Sequence, residues 1–186
     1  EENGGLGLDL LFAAAISQSL GGAVAPVPFC GSYVMAPIAI RLGGNKDQAT
    51  KILNEMSVGN IKFGIGFSDY VGSRNSSKIS FSDGVVNGNT LFVIDTEHAT
   101  HLLLSDAGGV LGMVALDHEN INFTDLITVD KTRTYKEISF ENTPVEILER
   151  TIDSVNAVER AIDAGRITLA ADSLGASQTM LDMAVS

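Results

Sequence analysis

Apolar residues along this chain change their period twice. Up to Gly59 they recur at helical spacing, from Ile61 to Leu148 they alternate or fall in short runs, and after Val155 helical spacing returns. The pattern predicts helices, then strands, then one long helix. Asp9 caps a first helix to about Leu20, with Leu10, Leu11, Ala14 and Ala15 on its apolar side and Gly21-Gly22 ending it. After the extended Pro26-Val27-Pro28, a second helix runs from about Gly31 to Leu42. Pro37 kinks or breaks it, because proline lacks the N–H that the preceding turn needs. Asn45 with Gln48 forms a capping box that opens a third helix to about Ser57, buried along Ile52, Leu53 and Met56.

The strand-like region centres on Lys78–Ser105, where Asp83-Gly84 and Asn87-Gly88 are two turn signals between β-branched and aromatic runs. Strands are predicted at Ile61–Phe67, Lys78–Phe81, Val85–Val86, Leu91–Asp95, His101–Ser105, Val110–Leu116, Ile127–Val129, Thr134–Phe140 and Val145–Leu148. So many short strands with regular turns indicate an antiparallel, barrel-like or sandwich arrangement. Glycines at 64, 66, 108, 109 and 112 point to bulges or to close backbone approach. The last helix starts near Asn156, which with Glu159 resembles another capping box, and buries Val155, Val158, Ile162, Leu169, Leu174 and Leu181. Ala161, Ala164, Gly165, Ala170, Ala171, Gly175 and Ala176 leave room for a close neighbour. At about 1.5 Å per residue such a helix is roughly 45 Å long, and its partners are expected beyond Ser186 or in another subunit. The fold class is therefore α+β: N-terminal helices over residues 1–59, a β unit over 60–150, and the start of a helical bundle over 151–186.

Composition narrows the partners. A net charge of −11 disfavours nucleic acid and anionic membranes. No apolar run approaches the roughly 20 residues that span a bilayer, and no secretory signal pattern opens the chain. The single cysteine, Cys30, reads as a small buried hydrophobe, and the compartment expected is cytoplasmic. Both ends look cut from a longer protein. His98-x-x-His101 lies at a loop-to-strand junction that does not put both rings on one face, and Asp117-His118-Glu119 reads as an exposed turn. No Gly-x-Ser-x-Gly elbow and no P-loop is present.

Five local motifs, in order along the chain, are similar to those of the acyl-CoA dehydrogenase family. They are Gly4-Gly5-Leu6-Gly7-Leu8; Gly43-Gly44-Asn45 with Gln48, Leu53 and Gly59; Val86-Asn87-Gly88 through Val93; Asp130-Lys131-Thr132-Arg133 with Phe140 and Thr143; and Ala170 through Ala176. The resemblance implies an FAD-dependent enzyme of acyl-CoA α,β-desaturation, with an electron-transfer flavoprotein as acceptor and a tetrameric or heteromeric assembly. It places Phe63, Ile65, Gly66, Ser73, Phe92 and Ile94 at the flavin. Gly66 stands for the family's threonine, Phe67 for its glutamate, Phe92 for its tryptophan, Ile94 for a second hydroxyl residue and Asp95 for an asparagine. The family's catalytic base has no counterpart within these residues. Two readings stay open: a flavin wall, or plain core for Phe63, Ile65, Phe67, Phe92 and Ile94. They lead to two functions, a dehydrogenase or a non-catalytic partner subunit of a heteromeric dehydrogenase.

Overall fold

In the computed structural model, residues 5, 7–72, 78–152 and 156–186 are described. Helix α1 spans Leu10–Gly22, and the Asp9 carboxylate accepts from the Leu11 and Phe12 N–H groups, as its position before the apolar run predicts. The second helix is in two parts. A π-helix, Phe29–Met35, hands over to α2, Ala36–Gly43, and Pro37 falls in the first turn of α2. The residue that cannot donate thus lies where π hydrogen bonding gives way to α, and the expected kink becomes a change of helix type. Helix α3, Lys46–Ser57, carries the predicted capping box. Gln48 also donates to the Ile147 carbonyl at 2.9 Å, tying α3 to the sheet.

Eight strands make one mostly antiparallel sheet: β1 Phe63–Gly66, β2 Lys78–Ser82, β3 Val85–Ile94, β4 His101–Ser105, β5 Leu111–Ala115, β6 Ile121–Leu126, β7 Tyr135–Pro144 and β8 Glu146–Ile147. Their order is β6-β7-β3-β1-β4-β5-β8, with β2 paired to β3, and among the described residues only β1 and β4 run parallel. A one-turn helix, α4 Ser68–Val71, follows β1.

Two expected strand features are corrected. Asp83-Gly84 turns the β2–β3 hairpin, but Asn87-Gly88 does not turn: β3 runs through it. Gly88 sits at φ +107° where a Cβ would land on the Lys78 carbonyl oxygen, and the register with β7 shifts there. The glycine makes a bulge, which bends the strand without ending it. The predicted strand at Ile127–Val129 is exposed loop, with Ile127 and Val129 96% and 101% accessible. The strand lies just before it, in β6, whose residues 122–125 are exposed on both faces and so carry no alternation.

Helix α5, Asn156–Val185, has the predicted length of 30 residues but a different inner face. Ala157, Val158, Ala161, Ala164, Gly165, Thr168 and Gly175 are buried, while Leu169, Leu174 and Leu181 are exposed. Its partner is inside the chain: α1 packs along it, with Gly21 against the Asp172 carbonyl and Gly175 against that of Gln18. The Ser17 hydroxyl donates to Thr168 O at 2.7 Å, and that of Thr179 to Gly22 O at 3.1 Å. Asn156 is itself helical rather than the cap.

Strands β1 and β4 divide the core. Phe63, Ile65 and Leu103 face the helices with Ile40, Ile52, Leu111, Leu148 and Val158; Leu102 and Leu104 face the other side with Val86, Val93, Val114, Ile138 and Phe140.

Candidate functional site

The region singled out by the sequence is a joint between β1, the end of β3 and the start of the π-helix. Ile65 and Ile94 are direct partners across β1 and β3, so their side chains share the helix-facing side. Beyond Ile94 the chain turns sharply: Phe92 and Asp95 both have positive φ, 54° and 59°, and the β3–β7 register shifts between Thr90 and Val93. The turn aims Asp95 at the π-helix. Its Oδ2 accepts from the Gly31 and Ser32 N–H groups at 2.7 and 3.2 Å. Gly31 has no room for a side chain, since a Cβ would lie 2.5 Å from Asp95 Oδ2 and 3.1 Å from Ile65 Cγ1. The Ser32 hydroxyl donates to the Phe63 carbonyl, closing the joint from the other side. Burial pushes the Asp95 pKa up, partly offset by the two N–H groups and by Arg133.

A cavity of about 300 Å³ opens beside this joint. Val27, Pro28, Ile94 and Leu169 form its apolar wall; Asp95, Lys131, Arg133 and Tyr135 are polar groups on it. Arg133 reaches Asp172 on α5 at 3.4 Å, linking the loop before β7 to the long helix. Cys30 also lines the cavity, but its thiol is buried and its pKa is raised by desolvation, so it is an inert packing group as predicted. A second cavity of about 440 Å³ lies at the start of α1, between Leu8, Tyr33, Ile38, Arg41 and Leu53, and none of the described residues predicted for cofactor contact lines it.

The predicted flavin residues are only partly brought together. Phe63 and Ile65 are core residues, 0% and 3% exposed. Gly66 faces the opposite side of β1 from Ile65 and Ile94, toward Leu104 and Thr90. Phe92 is 41% exposed on the β3 bulge, and Ile94 lines the cavity beside the joint. Ser73 lies outside the described residues. Thr96 has a buried hydroxyl without a partner among the described residues, yet it lines neither cavity. His101 packs its ring on Phe63 at 5.9 Å, and its Nδ1 lies 2.9 Å from the Thr100 hydroxyl. Among the described residues no group of three or more His, Cys, Asp or Glu is placed to hold a metal. The Asp95–Gly31 clamp was not readable in advance. The two residues are 64 positions apart, and the only hint was a glycine following a cysteine at the start of a helix.

No family model and no curated protein matches the chain. Solved structures do. Butyryl-CoA dehydrogenase from Megasphaera elsdenii is 18% identical over 100% of this chain and 55% of its own, with a TM-score of 0.83. A variant of the Tcur3481-Tcur3483 steroid ACAD is 21% identical over 97% of this chain and 50% of its own, at 0.78. A glutaryl-CoA dehydrogenase from Mycobacterium smegmatis in complex with FADH2 is 12% identical over 96% and 50%, at 0.74. The chain has the acyl-CoA dehydrogenase fold, and it spans about half the length of the solved structures it matches. The four residues of β1 are buried and offer no polar side chain, and the β3 position expected to carry a hydroxyl is Ile94.

Proposed function

We propose that this chain is part of an acyl-CoA dehydrogenase-type enzyme acting in α,β-desaturation of an acyl-CoA thioester. The observation that carries this reading is agreement of the fold over 96–100% of the chain with such enzymes, one of them seen with FADH2. Within that enzyme, residues 1–59, 60–150 and 151–186 correspond to part of a helical domain, a β domain and the first helix of a second helical domain. FAD accepts the hydride in enzymes of this class, and an electron-transfer flavoprotein takes the electrons onward. The assembly is a tetramer of identical chains or a heteromer with a related subunit. A partner subunit without catalytic residues is the second reading, favoured by Gly66, Phe67 and Ile94 at positions where the resemblance implies a threonine, a glutamate and a second hydroxyl.

The test is acyl-CoA-dependent reduction of an electron-accepting dye. It should be measured on the full-length protein alone and co-expressed with a homologue from the same source. Turnover in either preparation supports the proposal, and turnover only with the homologue selects the partner reading. Absence of turnover in both, with thioesters spanning short, long, branched and steroid-linked acyl groups, refutes it.

A further inference from the structure

A flavin ring is a flat body with a polar edge, and a protein that holds one needs an open slot and hydrogen-bond donors along it. Both faces of β1 are filled instead. On the helix side, Phe63 and Ile65 lie under the π-helix, which is held down by Asp95 and by the Ser32 hydroxyl on the Phe63 carbonyl. On the other side, a Cβ at Gly64 would sit 2.9 Å from Leu102 Cδ2, and one at Gly66 would sit 2.8 Å from Leu104 Cδ2 and 3.3 Å from the Thr90 methyl. A side chain at 66 would thus meet the tip of a leucine from the neighbouring strand, which would have to turn aside. β1 itself supplies no side-chain donor to either face.

We infer that β1 of this chain is packed closed on both faces and carries no flavin, and that flavin in the assembly is held by a different subunit. The first clause stands on packing alone; the second rests on the partner reading above. The same packing separates two kinds of substitution. Ile94→Thr lies at the edge of the open cavity and is tolerated, whereas Gly66→Thr forces Leu104 to repack and lowers stability by about 1 kcal/mol or more.

The experiment uses the full-length protein purified alone, its visible spectrum, and titration with FAD followed by flavin fluorescence and thermal unfolding. About 100 µM FAD would raise the Tm of a micromolar binder by several degrees. The expected result is a colourless protein with no Tm shift, for the wild type and for Ile94→Thr alike. A wild type that purifies with about one flavin per chain overturns the inference. So does an Ile94→Thr variant that becomes a micromolar flavin binder, because the face would then be open and merely lacking a donor. The two proposals fail separately. An active assembly with flavin on this chain overturns the closed joint and leaves the dehydrogenase reading standing. A colourless chain that supports no turnover with any partner does the reverse.

Discussion

Asp95 both holds the joint and strains it. Its carboxylate satisfies two N–H groups at the start of the π-helix, but burial raises its pKa above the usual carboxylate value. The folded state then binds the proton more tightly than the unfolded one. Its contribution to stability is therefore greatest at low pH and falls as pH rises from the ordinary carboxylate value through the raised one. Asp95→Asn keeps an acceptor oxygen and removes the buried charge. It should raise the Tm at neutral pH and flatten the pH dependence across that window, as measured by thermal unfolding at a series of pH values. Asp95→Ala should instead cost about 1–3 kcal/mol at every pH, since both N–H groups lose their partner. Thr96, next in the chain, has a buried hydroxyl that bonds to nothing among the described residues. Thr96→Val, of equal shape, should stabilise by up to about 1 kcal/mol in urea unfolding, and a loss of stability would reveal a bond to that hydroxyl.

Between elements, closeness of approach decides what a substitution does. Helices α1 and α5 touch through glycines, and a Cβ at Gly175 would land on the Gln18 carbonyl oxygen. That atom belongs to the helix backbone and cannot swing aside, so Gly175→Ala must push the two helices apart. It should cost about 3 kcal/mol or more, measured by chemical denaturation. Leu174→Gln, one residue away and 57% exposed, should change the stability of this chain by no more than about 0.5 kcal/mol. The contrast also shows how far the sequence could be read. The stripe of small residues announced a close helix neighbour correctly, but apolar spacing assigned the buried face to Leu169, Leu174 and Leu181. Hydrophobicity outweighs size in a periodicity reading, whereas in a tight crossing the smallest residues go inside. The capping box at Asn45 and the cap at Asp9 were legible because each rests on neighbours within four residues. Strand β6 was not, since an edge strand exposed on both faces has no reason to alternate. Asn87-Gly88 misled because a glycine with positive φ serves a bulge as well as a turn. Of the proposed cofactor face, the residue identities were legible, but the sides they face were not. Gly66 and Ile94 look like a pair in sequence, and the register gives that place to Ile65.

The molecule as a whole is held by a core that helices and sheet share. Leu103 on β4, Leu111 on β5 and Leu148 beyond β8 are fully buried in the same cluster as Ile40 of α2 and Val158 of α5. Polar ties cross the same boundary: Asp95 to the π-helix, Gln48 to the carbonyl of Ile147, Arg133 to Asp172, and the Tyr70 hydroxyl to Glu159 at 2.9 Å. Helices and sheet built this way cannot lose their packing independently, because either one leaves the other with an exposed apolar face. Unfolding of this chain should therefore be a single transition. Leu103→Ala, which opens a cavity at the centre of the shared cluster, should lower stability by about 2–5 kcal/mol without splitting that transition. Amide hydrogen exchange can follow Ile40, Leu104 and Ala164 separately, one residue for each of α2, β4 and α5. The three should report the same opening free energy and fall together in the variant. If the α5 amide opens at much lower free energy than the β4 amide, the helices are a separate unit. The clamp at Asp95 would then be a contact between two units, and the joint it closes would be free to open.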